Sequence, residues 1–210
     1  MFNKKFIWVL LLVLPVTVLA NPAIKDLQTG WAKANYQLKG DDQEKSFEML
    51  IVQADNALQM EPTSAELLIW RGIIKSSYAG VAGGLGALSL IKEAKDDLEK
   101  AIQIDDVALS GSAYTSLGTL YFKAPGWPIS FGDDEKAKEL LEKAIFEDQK
   151  GIDSNYFYAE FLKEQGDYAL AKTHLLRAQY APKRRGRAIA DNGRQDDITQ
   201  MLREVKDALN

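Results

Sequence analysis

"AKDDLEKAI" at residues 94–102 and "AKELLEKAI" at residues 137–145 are nearly one nonapeptide written twice. Each sets an alanine, a leucine four residues on and a second alanine three beyond that: Ala94, Leu98 and Ala101, then Ala137, Leu141 and Ala144. "AKTHLLRAQ" repeats the spacing with Ala171, Leu175 and Ala178, and "LIVQADNAL" gives a looser version with Leu50, Ala54 and Ala57. Positions i, i+4 and i+7 lie on one face of an α-helix. Alanines on that face let a neighbouring helix come close, and the leucine fills the hole between turns. Nothing from Ala23 onward alternates with a period of two for long enough to build a sheet, so the sequence predicts an all-α protein.

Each of these helices follows another with a small residue at its centre. "LLIWRGIIK" centres on Gly72, "YTSLGTLYF" on Gly118 and "YFYAEFL" on Ala159, with "WAKANYQL" a weaker counterpart. Glycine inside a helix costs about 1 kcal/mol relative to alanine, so two at equivalent places imply a compensating helix–helix contact. Breakers recur where a pair should end, at Glu61-Pro62, Asp105-Asp106 and Ala181-Pro182.

On these residues the chain resembles the tetratricopeptide repeat family. The motif is most specific in the third unit, with Tyr114, Leu117, Gly118 and Tyr121 followed by Ala137, Leu141 and Ala144. In the fourth unit, "EQGDYALAK" supplies the turn and second-helix start typical of the family. The resemblance implies a right-handed solenoid of four helix-turn-helix units, near 26–62, 64–106, 110–150 and 153–182, in one domain over 21–210. The final apolar stripe, Ile198, Met201, Leu202, Val205 and Leu209, then reads as a capping helix over 191–210. The family period is about 34 residues. Here the alanines at 57, 101, 144 and 178 are spaced more widely at first, which places insertions in the second and third units. These are "SYAGVAGGLGALSL" (77–90) and "APGWPISFGD" (124–133). With that layout the chain also resembles exported repeat proteins of the T-component type, found beside tripartite import systems of Gram-negative bacteria. Those proteins are usually lipid-anchored through a cysteine, which is missing here. Their attributed role is to hold an apolar ligand in a pore through the solenoid.

Residues 1–20 read as a cleavable signal peptide. Lys4 and Lys5 precede the apolar run Phe6–Leu19, and Val18-Leu19-Ala20 offers small residues at a peptidase site. The run is short for a membrane span and is interrupted by Pro15. Cleavage leaves no membrane span, a periplasmic or secreted protein, and a formal charge that moves from −4 to −6 with the loss of Lys4 and Lys5. Such an acidic chain is a poor partner for nucleic acid, whose phosphates need clustered positive charge. The one basic cluster, "KRRGR" at 183–187, reads as a solvated inter-helix loop.

Catalytic, metal and cofactor chemistry find little support. With no cysteine and a single histidine, His174, disulfides and thiolate sites are excluded and a zinc or copper site lacks ligands. Ser110, Ser112 and Ser116 lie near no histidine in sequence and read as capping or helix-surface residues. "GVAGGLG" lacks the preceding strand and the lysine of a phosphate loop. Asp96-Asp97 and Asp133-Asp134 lack the alternating oxygen ligands of a calcium loop, and Asp133 fits better as an N-cap. The expectation is a protein that is not an enzyme and carries no cofactor.

Recognition then falls to a surface. First helices of repeat units line the inner curve of such arrays. Their exposed faces should carry Tyr36, Ile69, Ile73, Ser77, Thr115, Thr119, Phe122, Tyr156, Glu160 and Lys163. Trp127 adds a further candidate. Set between Pro125-Gly126 and Pro128, it either plugs the end of the core or offers its ring to a ligand or partner. The usual burial of large aromatics, with Ile129 and Phe131 nearby, favours the plug. Two functions follow. One is an adaptor or scaffold that binds a protein or peptide partner in the bacterial cell envelope; the other is a soluble carrier or transporter accessory that holds an apolar small ligand.

Overall fold

The computed structural model describes residues 21–210; the signal-peptide expectation falls on residues outside them. Among the described residues the elements are helical throughout, in the order α1 (Pro22–Gln37), α2 (Gly40–Met60), α3 (Ala65–Ala82), α4 (Gly84–Ile104), α5 (Ala108–Lys123), α6 (Asp134–Glu147), α7 (Ile152–Glu164), α8 (Tyr168–Gln179) and α9 (Ala188–Ala208). No helix among them is long and apolar enough to cross a membrane.

Several helices start where a side chain can satisfy the free amides of the first turn. Asn21 accepts from the amide of Ala23, with Pro22 at the first helical position, and Ser64 accepts from Leu67. Asp133 accepts from Lys136 and Asp167 from Leu170. The glycine-rich stretch does not form a separate loop. It prolongs α3 and α4 and turns the chain at Gly83 and Gly84, both with φ of +62°. That left-handed geometry is open to glycine at no steric cost.

Packing within each helix pair follows the alanine–leucine–alanine face. Ala94, Leu98, Ala101, Ala137, Leu141, Ala144, Ala171, Leu175 and Ala178 are all fully buried. Opposite Leu98 and Leu141 sits a backbone without a side chain in the way. A Cβ on Gly72 would come 2.8 Å from Leu98 Cγ, and one on Gly118 would come 2.8 Å from Leu141 Cγ. In the first pair the residue in this role is Gly30, facing Leu50, rather than the centre of "WAKANYQL". The face of α2 is also shifted, because Phe47 and Leu58 are buried whereas Ala57 is only half-buried. Polar stitching joins α2, α3 and α4: Arg71 of α3 pairs with Asp97 and Asp55, and buried Lys75 pairs with Asp97 and Glu93.

The odd-numbered helices also pack on one another: α1 on α3, α3 on α5, α5 on α7, α7 on α9, and α9 back on α1. The even-numbered helices touch only the odd ones beside them in sequence. The result is an inner ring of five helices with four outer ones. Its closure joins Tyr36, whose hydroxyl donates to Asp197 at 3.2 Å, to a region 161 residues away. Gly193 of α9 leaves room there for the Tyr36 ring, which a Cβ would meet at 2.3 Å.

The loop between α5 and α6 differs from its expected role. Gly132 donates to the Pro125 carbonyl at 3.0 Å and Asp133 to the Tyr121 carbonyl at 2.9 Å, which pins both ends together. Residues at the tip therefore point away from the helices. Trp127 is 89 % exposed and Ile129 is 62 % exposed, so the tryptophan plug is overturned. Phe131, at the pinned base, packs edge-on against Tyr121 with ring centroids 5.3 Å apart.

Candidate ligand-binding chamber

Helices α1, α3, α4, α5 and α7, with Arg194 of α9, line a chamber of ≈ 960 Å³ that is partly open to solvent. Its length follows α5, whose Ser112, Thr115, Ser116, Thr119 and Lys123 all line it, a rise of about 16 Å at 1.5 Å per residue. Trp31 and Asn35 of α1, Trp70 and Ile73 of α3, Ile91 of α4, Leu120 of α5 and Tyr156 and Phe157 of α7 complete much of the wall. The Trp31 indole donates to Ser77 at 2.8 Å and meets Trp70 edge-on at 5.9 Å, which fixes both rings in place.

The two ends differ in chemistry. One is bordered by Gly80, Gly84, Ala87 and Leu88 at the α3–α4 turn, with Lys123 and Pro125 beside them. There Lys123 donates to Glu160 at 2.6 Å. The other end gathers Ser110, Asp153, Arg184, Arg187 and Arg194. Arg184 and Arg194 both bind Asp153, at 2.6 and 2.9 Å. Burial pushes the Asp153 carboxyl up, but Arg194 and Arg184 overcome it and hold the pKa down at about 2. Arg194 also lies between two rings, 4.2 Å from the centroid of Tyr156 and 4.6 Å from that of Phe157. Burial raises the Tyr156 phenol above its ordinary value, with the Arg194 charge opposing.

The basic loop at 183–187 is thus only partly solvated. Lys183 and Arg185 are exposed as expected, whereas Arg184 and Arg187 are half-buried and face the chamber. The three-residue turn at Leu109, Ser110 and Gly111 is left-handed, with φ of 49°, 57° and 70°. Leu109 and Ser110 hold a geometry unusual for residues with a side chain, and both line the chamber.

Of the residues expected on the inner surface, Ile73, Ser77, Thr115, Thr119, Tyr156 and Glu160 line the chamber. Ile69 is fully buried in the core, not exposed. Tyr36 is spent on the α1–α9 contact, Phe122 packs against Phe161 at 5.7 Å, and Lys163 pairs with Glu204 at 2.7 Å. Trp127 stands on the outside at the loop tip. The serines assigned to caps and helix surface, Ser110, Ser112 and Ser116, line the chamber instead. Sequence reading missed Trp31, Trp70, Arg184, Arg187 and Arg194; the basic cluster at 183–187 was a signal for Arg184 and Arg187 alone.

His174 is buried outside the chamber. The Asn155 amide nitrogen donates to the carbonyls of Gln149 and Gly151, so its oxygen accepts and His174 Nδ1 carries the proton of their 2.9 Å bond. Burial, then the Arg177 charge, lowers the imidazole pKa to about 4. No group of three or more histidine, aspartate or glutamate side chains among the described residues is arranged to hold a metal ion. Compared with known proteins, the chain matches no family model and no curated sequence.

Proposed function

We propose that this is a non-catalytic binding protein that encloses a small, mainly apolar molecule inside its inner ring. The observation that carries this reading is the return of α9 onto α1. An adaptor for an extended peptide needs an open inner face along which the peptide can lie. Here the inner helices return on one another, and the partly open chamber of ≈ 960 Å³ that they help to line is within the upper range for small-molecule sites. The helix pairs are proposed to be tetratricopeptide-type units, supported by the glycine–leucine contacts at Gly72 and Gly118. Export through residues 1–20 goes with a carrier working in the cell envelope, and the mass of envelope-derived protein tests it, since it should lack those residues.

Solvent extraction of the purified protein, followed by mass spectrometry, should yield an apolar compound. The neutral fluorophore N-phenyl-1-naphthylamine should bind the emptied protein. Thr119→Trp, which places an indole in the chamber, should weaken that binding by at least about tenfold. Finding no extracted compound and no fluorophore binding would sink the reading. A second reading, docking of a protein partner, is favoured by Trp127 alone, whose ring is held outward on a pinned loop. Loss of a partner from an envelope pull-down with Trp127→Ala, but not with Thr119→Trp, would support it.

A further inference from the structure

The arginine end of the chamber contains one guanidinium without a carboxylate partner among the described residues. Arg184 is engaged by Asp153 at 2.6 Å and by Asp191 at 2.7 Å, and Arg194 by Asp153 at 2.9 Å and Asp197 at 3.0 Å. The carboxylates are correspondingly occupied. Asp153 accepts through both oxygens, Asp191 also accepts from the Arg184 amide, and Asp197 also accepts from Tyr36. Arg187 makes no side-chain hydrogen bond or ion pair among the described residues, and its buried Nε has no partner. Its guanidinium lies over the Trp70 ring, 5.1 Å from the centroid. The indole Nε1 of Trp70 is also buried without an acceptor. Two donor side chains in contact, both lining the chamber, are therefore short of acceptors.

A buried donor left without an acceptor is costly. Asp153 and Asp191 attract Arg187 from beyond hydrogen-bond distance, whereas burial and the nearby Arg184 act against its charged form. An oxyanion supplied from outside would answer the shortage at Arg187. The planar fork of a guanidinium matches the paired oxygens of a carboxylate or phosphate, and the aromatic face beneath keeps the fork from turning away.

We propose that Arg187, resting on Trp70, receives the oxyanion head of an amphipathic ligand. The apolar body then runs past Ile73, Leu120 and Ile91 toward the glycine-bordered end. This rests on the enclosed-ligand reading above. It adds the ligand's charge and its direction in the chamber.

The test is titration calorimetry of the emptied full-length protein with octanoate, octyl phosphate and octanol. Octanoate or octyl phosphate should bind at least about tenfold more tightly than octanol, and whichever of the two anions binds better identifies the head. Arg187→Gln should remove that advantage, so that neither anion binds more tightly than octanol. Arg187→Lys, which keeps the charge without the fork, should recover only part of it. Equal binding of octanol and both anions would overturn the anionic head while leaving the enclosed-ligand reading intact. An anion preference that survives Arg187→Gln would overturn the assignment to Arg187. Binding of none of the three would overturn both readings.

Discussion

A side chain 89 % exposed contributes little apolar burial, so Trp127→Ala is expected to change stability by less than about 0.5 kcal/mol. Phe131→Ala, at the pinned base of the same loop, should cost about 2 kcal/mol. Paired denaturant melts check both. The prolines around Trp127 do reveal a stiff loop, but average burial says nothing about which way its tip points. That direction comes from backbone bonds across the base, from Gly132 to Pro125 and from Asp133 to Tyr121. His174 carries a second expectation. Its folded pKa of about 4 lies below the unfolded value near 6.5, so the unfolded chain binds more protons between them. The stability it contributes is complete above pH 6.5 and is lost as pH falls toward 4. Carboxyls such as Asp148 and Asp197, raised by burial, drift the opposite way. The difference in stability between wild type and His174→Gln, measured from pH 7 to pH 4.5, cancels their effect. That difference should shrink with acid.

Within the first three helix pairs, the leucine of the second helix meets the bare backbone of the first. Gly118→Leu would drive a side chain into Leu141 and the Ala137 carbonyl, which already lie 2.8 and 3.2 Å from the place a Cβ would take. The expected loss is about 1–3 kcal/mol, read from the denaturation midpoint. This contact was legible from spacing alone, because Gly118 shares a helical period with Tyr114 and Leu117. The first pair was harder to read. Its partner for Leu50 is Gly30, and α2 buries Phe47 and Leu58 in place of a second alanine. The stretch at 77–90 reads in the sequence as an insertion, whereas Gly83 and Gly84 let two long helices turn within a couple of residues.

No local pattern announces that the last helix returns to the first, since the Tyr36–Asp197 bond spans 161 residues and uses residue types common on any helix surface. The chamber and its three arginines were hidden for the same reason. They exist only once the ring is closed. Gly193→Leu should force α9 away from the Tyr36 ring, cost about 2 kcal/mol and shorten the retention of N-phenyl-1-naphthylamine. Stopped-flow release of the fluorophore would show it, and unchanged release would mean that the seam between α1 and α9 does not control access. The same seam limits how a chain of this kind can grow. An open row of helix pairs accepts a duplicated pair anywhere along its length, because each unit meets only its neighbours. In a circuit, one more pair adds a spoke to the wheel: either the rim widens and the hub becomes a different vessel, or the rim no longer meets. Lengthening by duplication and keeping the same chamber are, for this architecture, alternatives.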